Sequence, residues 1–227
     1  MNTEIHNAFI NAVLADSCYV DGLSSGMTDA SLKVMLRARL SEKLAEFVGD
    51  HFVVVNQYVD PGSSGFSVTV FQDKLSGQRY VSMRGTEADS AGRFIEDAVT
   101  DLNAVLYSGL TQSQVIAMVN WTLQAIAPEN APVVQYAQGA SSADGVLLDS
   151  GLGLGNGALY NAGSVAVDGH SLGGHLATVF TRLFNDRVAN TFTYNGLGVG
   201  RLFPEAFLQN IGNSISQIGA NTWQDAK

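Results

Sequence analysis

Only one cysteine, Cys18, occurs in 227 residues, so no disulfide can close within the chain and the fold must hold by packing alone. This excludes the small, disulfide-stapled scaffolds. Basic residues are also scarce. Twelve Lys and Arg stand against 21 Asp and Glu, a formal charge of −9, and nowhere do they cluster as displacement of phosphate counterions requires. Nucleic acid is therefore not an expected partner. Simple electrostatic docking on an anionic membrane is disfavoured too, whereas transient contact with a neutral lipid interface is not. No apolar run approaches the roughly 20 residues of a membrane span. Residues 1–11 lack the basic start and apolar core of a signal peptide. The expectation is a soluble chain, either cytoplasmic or exported through a carboxy-terminal signal. With no H-E-x-x-H and no C-x-x-C, no metal site is legible.

What is present is an apolar content of 46%, enough for one sizeable core and a single α/β domain over residues 1–227. Ile5, Phe9, Ala12 and Val13 recur at helical spacing. After a Gly/Ser/Asp turn region, Leu32, Leu36, Leu40, Leu44 and Phe47 form one stripe, which predicts a second helix stopping at Gly49. Phe52–Val59, Phe66–Phe71 and Arg79–Met83 are β-branched and aromatic runs separated by turn residues, hence three strands. Helical spacing returns over Phe94–Leu106 and again over Ser113–Ala127. Residues 139–164, rich in Gly, Ser, Ala and Asn, read as a long loop. The Gly151–Gly157 run in it fails the G-x-G-x-x-G spacing, and no P-loop lysine follows. Val165–Val167 is a strand, Leu172–Asn185 a helix and Thr191–Tyr194 a strand, with a short helix over Pro204–Ile211. This alternation points to parallel strands joined by crossover helices.

The strongest signal is Gly169-His170-Ser171-Leu172-Gly173, followed by Gly174, which fits the G-x-S-x-G nucleophile elbow. A serine on a sharp strand-to-helix turn has neighbours two residues away whose side chains would collide, and glycine at 169 and 173 removes that collision. The helix from Leu172 aims its first amides and positive dipole end at the position where an oxyanion would develop. Upstream, Tyr80-Val81-Ser82-Met83-Arg84-Gly85-Thr86 is a strand ending in a small-residue turn. By topology Thr86 is where a second oxyanion donor belongs. Asp97 and Asp101 would share one helix face, best read as solvated or capping.

Taken together, Met83-Arg84-Gly85-Thr86, the Phe94–Asn103 helix with Asp97 and Asp101, the Gly169–Gly174 elbow and Thr193-Tyr194-Asn195-Gly196-Leu197-Gly198 resemble the ordered landmarks of the class 3 lipase family. The likeness is to the amino-terminal part of an α/β-hydrolase of the bacterial lipase or phospholipase type, over roughly residues 50–200. It implies hydrolysis of carboxylic esters of lipids without metal or cofactor. It also implies an oxyanion hole built from Thr86 and the Leu172 amide.

The rest of a catalytic triad is not legible. In this fold the order is Ser, then Asp or Glu, then His, yet the four histidines are His6, His51, His170 and His175. His170 lies inside the elbow with a structural role, and His175 on the following helix reads as surface or supporting. Of the later acids, Asp186 comes too early, and Asp225 follows a possible strand at residues 214–219. The expectation is an α/β-hydrolase domain incomplete at its carboxyl end, with acid and base beyond residue 227, and inactive as it stands. Two other readings keep the scaffold: a non-catalytic lipid- or partner-binding module, and an acyltransferase or peptidase using the same serine.

Overall fold

The computed structural model describes residues 3–62, 64–85, 110–138, 147–196 and 209–213. The chain divides into two compact units. One comprises Met1–Pro61, Gly65–Thr86 and Ala162–Leu197; the other comprises Gly62–Ser64, Glu87–Asn161 and Gly198–Lys227.

The first unit is built on a five-stranded sheet of order β1-β2-β3-β6-β7, with β1 Phe52–Val59, β2 Ser67–Asp73, β3 Arg79–Met83, β6 Val165–His170 and β7 Val188–Tyr194. The three early strands form an antiparallel meander, and β3, β6 and β7 run parallel. Helices α1 (Thr3–Ser17) and α5 (Leu172–Leu183) both pack on the β3, β6 and β7 part. Val165–Val167 is buried throughout, as expected of a strand covered on both faces. The core beside β1 and β2 joins Leu14, Leu36, Val48, Phe52 and Phe71, all at most 1% exposed.

The single helix expected over residues 32–47 is two: α2, Asp29–Leu36, and α3, Glu42–His51. The bonds Ala38 N to Met35 O and Arg39 N to Leu36 O tighten the end of α2, and the chain turns before Ser41. The apolar stripe runs on across the break because both helices and the turn face the same core, Leu40 included. Gly49 does not stop a helix either. It lies within α3, where a Cβ would come 2.3 Å from Lys33 Cγ, so its smallness seats α3 against the Lys33 side chain of α2.

In the second unit, helix α4 (Leu110–Ile126) buries Val115, Met118, Val119, Trp121 and Ala125, a broad apolar face turned into the unit. It lies along a two-stranded antiparallel sheet of β4, Pro132–Gln138, and β5, Leu147–Leu154. The Asn120 amide grips this sheet, donating to the Tyr136 carbonyl and accepting from the Tyr136 N–H, both at 2.8 Å. The long loop expected over residues 139–164 is therefore a strand in part. Two of its glycines serve close approach: a Cβ at Gly153 would come 2.7 Å from Gln124 Nε2, and one at Gly155 2.1 Å from the Pro128 carbonyl oxygen. The helices expected over 94–106 and from 204, and the strand over 214–219, fall wholly or largely outside the described residues.

Candidate active site

Strand β6 ends at His170 and α5 begins at Leu172, leaving Ser171 alone between them at the carboxyl end of the parallel strands. Its backbone has φ 55 and ψ −125, a conformation that costs a non-glycine residue of order 1–3 kcal/mol. The surroundings hold it there. Ser171 N–H donates to the Tyr194 carbonyl of β7 at 2.9 Å, and its own carbonyl accepts from the Gly174 and His175 amides at 3.0 and 3.3 Å. Ser171 is half-buried.

The glycine pair acts as the motif requires, with numbers attached. A Cβ at Gly169 would lie 2.3 Å from the Gly173 carbonyl, and one at Gly173 would lie 2.1 Å from the Met83 carbonyl oxygen. The second contact matters more for function, because it lets the first turn of α5 slide under the end of β3. The loop leaving β3 lies correspondingly close: a Cβ at Gly85 would be 2.8 Å from the His170 carbonyl and 3.1 Å from the Gly173 N. Leu172 and Gly173 open the helix, where their own N–H groups have no preceding helical carbonyl to bond. Thr86, the expected second donor, follows Gly85 directly but lies outside the described residues, as do Asp97, Asp101 and Asp225.

The histidines divide sharply. His6 and His51 are exposed, His51 with a ring nitrogen 2.9 Å from the Phe47 carbonyl. His170 is half-buried, its Nε2 3.4 Å from Asn195 Nδ2. His175 is fully buried on α5, which corrects the surface reading: the face carrying it turns into the unit, not out of it. Asp186 sits exposed in the 3-10 turn Asn185–Arg187 that ends α5.

Two residues that sequence spacing did not single out lie close by. Asp168, three positions before Ser171, is completely buried, and neither carboxyl oxygen has a hydrogen bond of good geometry among the described residues. Burial drives its pKa well above the ordinary carboxylate range, against a smaller opposing pull from Ser82, its register partner on β3. This favours the protonated form. Cys18 lies near enough for Asp168 to add to the upward push that burial gives its thiol. The second residue is Tyr19, just beyond α1. Its hydroxyl accepts from Gly85 N–H at 3.0 Å and reaches the His170 carbonyl at 3.4 Å. An acid inside a β-strand motif was a legible signal; Tyr19, more than 60 positions from either contact, carried none.

A strand, a serine in a strained turn and a helix on parallel strands define an α/β-hydrolase-like fold. Among solved structures, the chain is similar to a lipase from Rhizopus microsporus var. chinensis, with 15% sequence identity and a TM-score of 0.43 over 86% of this chain and 57% of that one. It is similar also to the Lip2 lipase of Yarrowia lipolytica, with 21% identity and a TM-score of 0.41 over 86% of this chain and 59% of that one. The chain thus spans less than two thirds of either lipase. By sequence, no protein-family model and no curated protein matches it.

Proposed function

We propose that this chain is the serine-bearing part of a class 3 lipase-like hydrolase of carboxylic esters in lipids, a triacylglycerol lipase or a phospholipase. The observation that carries the reading is Ser171 itself, held at φ 55 between the end of β6 and the first turn of α5. Strain of this kind persists where the surroundings over-determine it, and it clusters at active sites. In the proposed reaction Ser171 Oγ attacks the ester carbonyl carbon. The carbonyl electrons move onto oxygen, and the Leu172 and Thr86 amides stabilise that oxyanion. The alcohol then leaves, and water releases the acid from the acyl-serine. The proton passes from Ser171 Oγ to a histidine, and through it to the alcohol. That histidine and its supporting acid are proposed to lie outside the described residues.

The test is turnover of p-nitrophenyl esters, triacylglycerols and phospholipids by the full-length natural chain and its Ser171→Ala variant. Serine-dependent turnover is expected to fall by about 10⁶-fold, to the assay floor. Equal turnover by the variant would remove Ser171 from the chemistry. Lipid binding without serine-dependent turnover would favour the non-catalytic module instead.

A further inference from the structure

Tyr19 is buried at 7% exposure immediately after α1, and its hydroxyl stands between the two halves of the proposed site. On one side it accepts the Gly85 amide proton at 3.0 Å, which leaves it one hydrogen to donate. On the other side the His170 carbonyl, adjacent to Ser171, is 3.4 Å away and takes that hydrogen. The ring is held in turn. Arg39 lies 4.2 Å from its centroid and Arg84 5.6 Å. Arg39 is anchored to Asp16 at 2.6 Å and Arg84 to Asp21 at 2.5 Å, so both acids flanking Tyr19 in sequence fix an arginine against it. Burial raises the Tyr19 pKa, more than the Gly85 amide and the arginines lower it, so the phenol keeps its proton.

We infer that Tyr19 is a positioning residue. Its hydroxyl ties the loop leaving β3 to the elbow, and so sets the spacing between the oxyanion donor proposed at Thr86 and the nucleophile. Tyr19 touches neither substrate nor the reacting atoms. A hydrogen bond bridging two loops is suited to this task, because β3 and β6 are in register only up to Met83 and Gly169, and the ladder itself does not reach Gly85 or Ser171. The inference rests on the hydrolase reading for its functional half and on the Gly85 and His170 contacts for its structural half.

The experiment compares the full-length chain with Tyr19→Phe, which keeps the ring and both arginine contacts and removes only the hydroxyl. Tyr58→Phe serves as a matched control, since Tyr58 OH bonds Asp60 at 3.3 Å, on the opposite side of the sheet order from the elbow strand. Two quantities are read: amide exchange at Gly85, and kcat and KM for ester turnover above Ser171→Ala. In Tyr19→Phe, Gly85 should exchange about 5- to 10-fold faster, consistent with loss of one hydrogen bond. Its kcat should fall by about 10-fold or more with KM unchanged, because the missing alignment is needed in the transition state. Tyr58→Phe should change neither quantity. Unaltered Gly85 exchange overturns the tether. Faster exchange with unaltered kcat, or a variant that does not fold, makes Tyr19 structural and overturns the positioning role. Failure of the hydrolase reading is separately visible, as wild-type turnover no greater than that of Ser171→Ala, and takes the positioning role with it.

Discussion

Asp168 is a carboxyl group with no exposure, no well-formed hydrogen bond among the described residues and a pKa far above its ordinary range because of burial. Its effect on folding has a definite sign. Above about pH 4 an unfolded aspartate releases its proton, while the folded chain keeps the one on Asp168. The folded state then binds more protons, so stability contributed at acid pH is lost as pH rises toward the folded-state pKa. Asp168→Asn, which cannot titrate, should show a shallower fall in melting temperature between pH 4 and pH 8 than the wild type. Identical slopes in melts across that range would show that Asp168 titrates normally. The neighbouring Cys18 reads the same environment, since burial holds its thiol protonated and unreactive.

The elbow depends on glycine for packing as much as for conformation. Gly173 sits where β3 and α5 touch, and an added methyl would need the Met83 carbonyl to retreat from 2.1 Å. Backbone cannot yield as a flexible side chain can, so Gly173→Ala should destabilise by about 1–3 kcal/mol through overpacking. Gly212→Ala, with nothing among the described residues within 4 Å of its Cβ, should stay within about 0.5 kcal/mol of wild type or gain slightly. Urea unfolding midpoints would check both, and equal midpoints would mean that α5 can shift off β3 freely. Most elements were readable from periodicity, because strands and amphipathic helices expose their pattern locally. The exceptions share a cause. The stripe over residues 32–47 stayed in phase through a turn, since α2, α3 and Leu40 face one core. Gly153 and Gly155 resembled a loop because the surfaces they fit, the Gln124 and Gln135 side chains for one and Pro128 for the other, are invisible in a linear pattern.

With a formal charge of −9, the whole chain should be repelled by an anionic interface and indifferent to a neutral one. At low ionic strength, cosedimentation with phosphatidylcholine vesicles should exceed that with phosphatidylglycerol vesicles several-fold. The gap should close as salt shortens the screening length to about 10 Å near 0.1 M. Stronger binding to the anionic vesicles would reveal a basic patch that the overall balance conceals. The serine, its glycines and the strand and helix around it were legible from residue order, since a G-x-S-x-G elbow is a local solution to a local collision. The Met83–Gly173 contact, the buried charge-free environment of Asp168, the inward turn of His175 and the bridge from Tyr19 to Gly85 and His170 were not. Each depends on which strands lie side by side, and parallel pairing of β3 with β6 joins segments more than 80 residues apart. Hydrophobic spacing decides that a strand has a buried face; only the folded sheet decides which side chain meets it there.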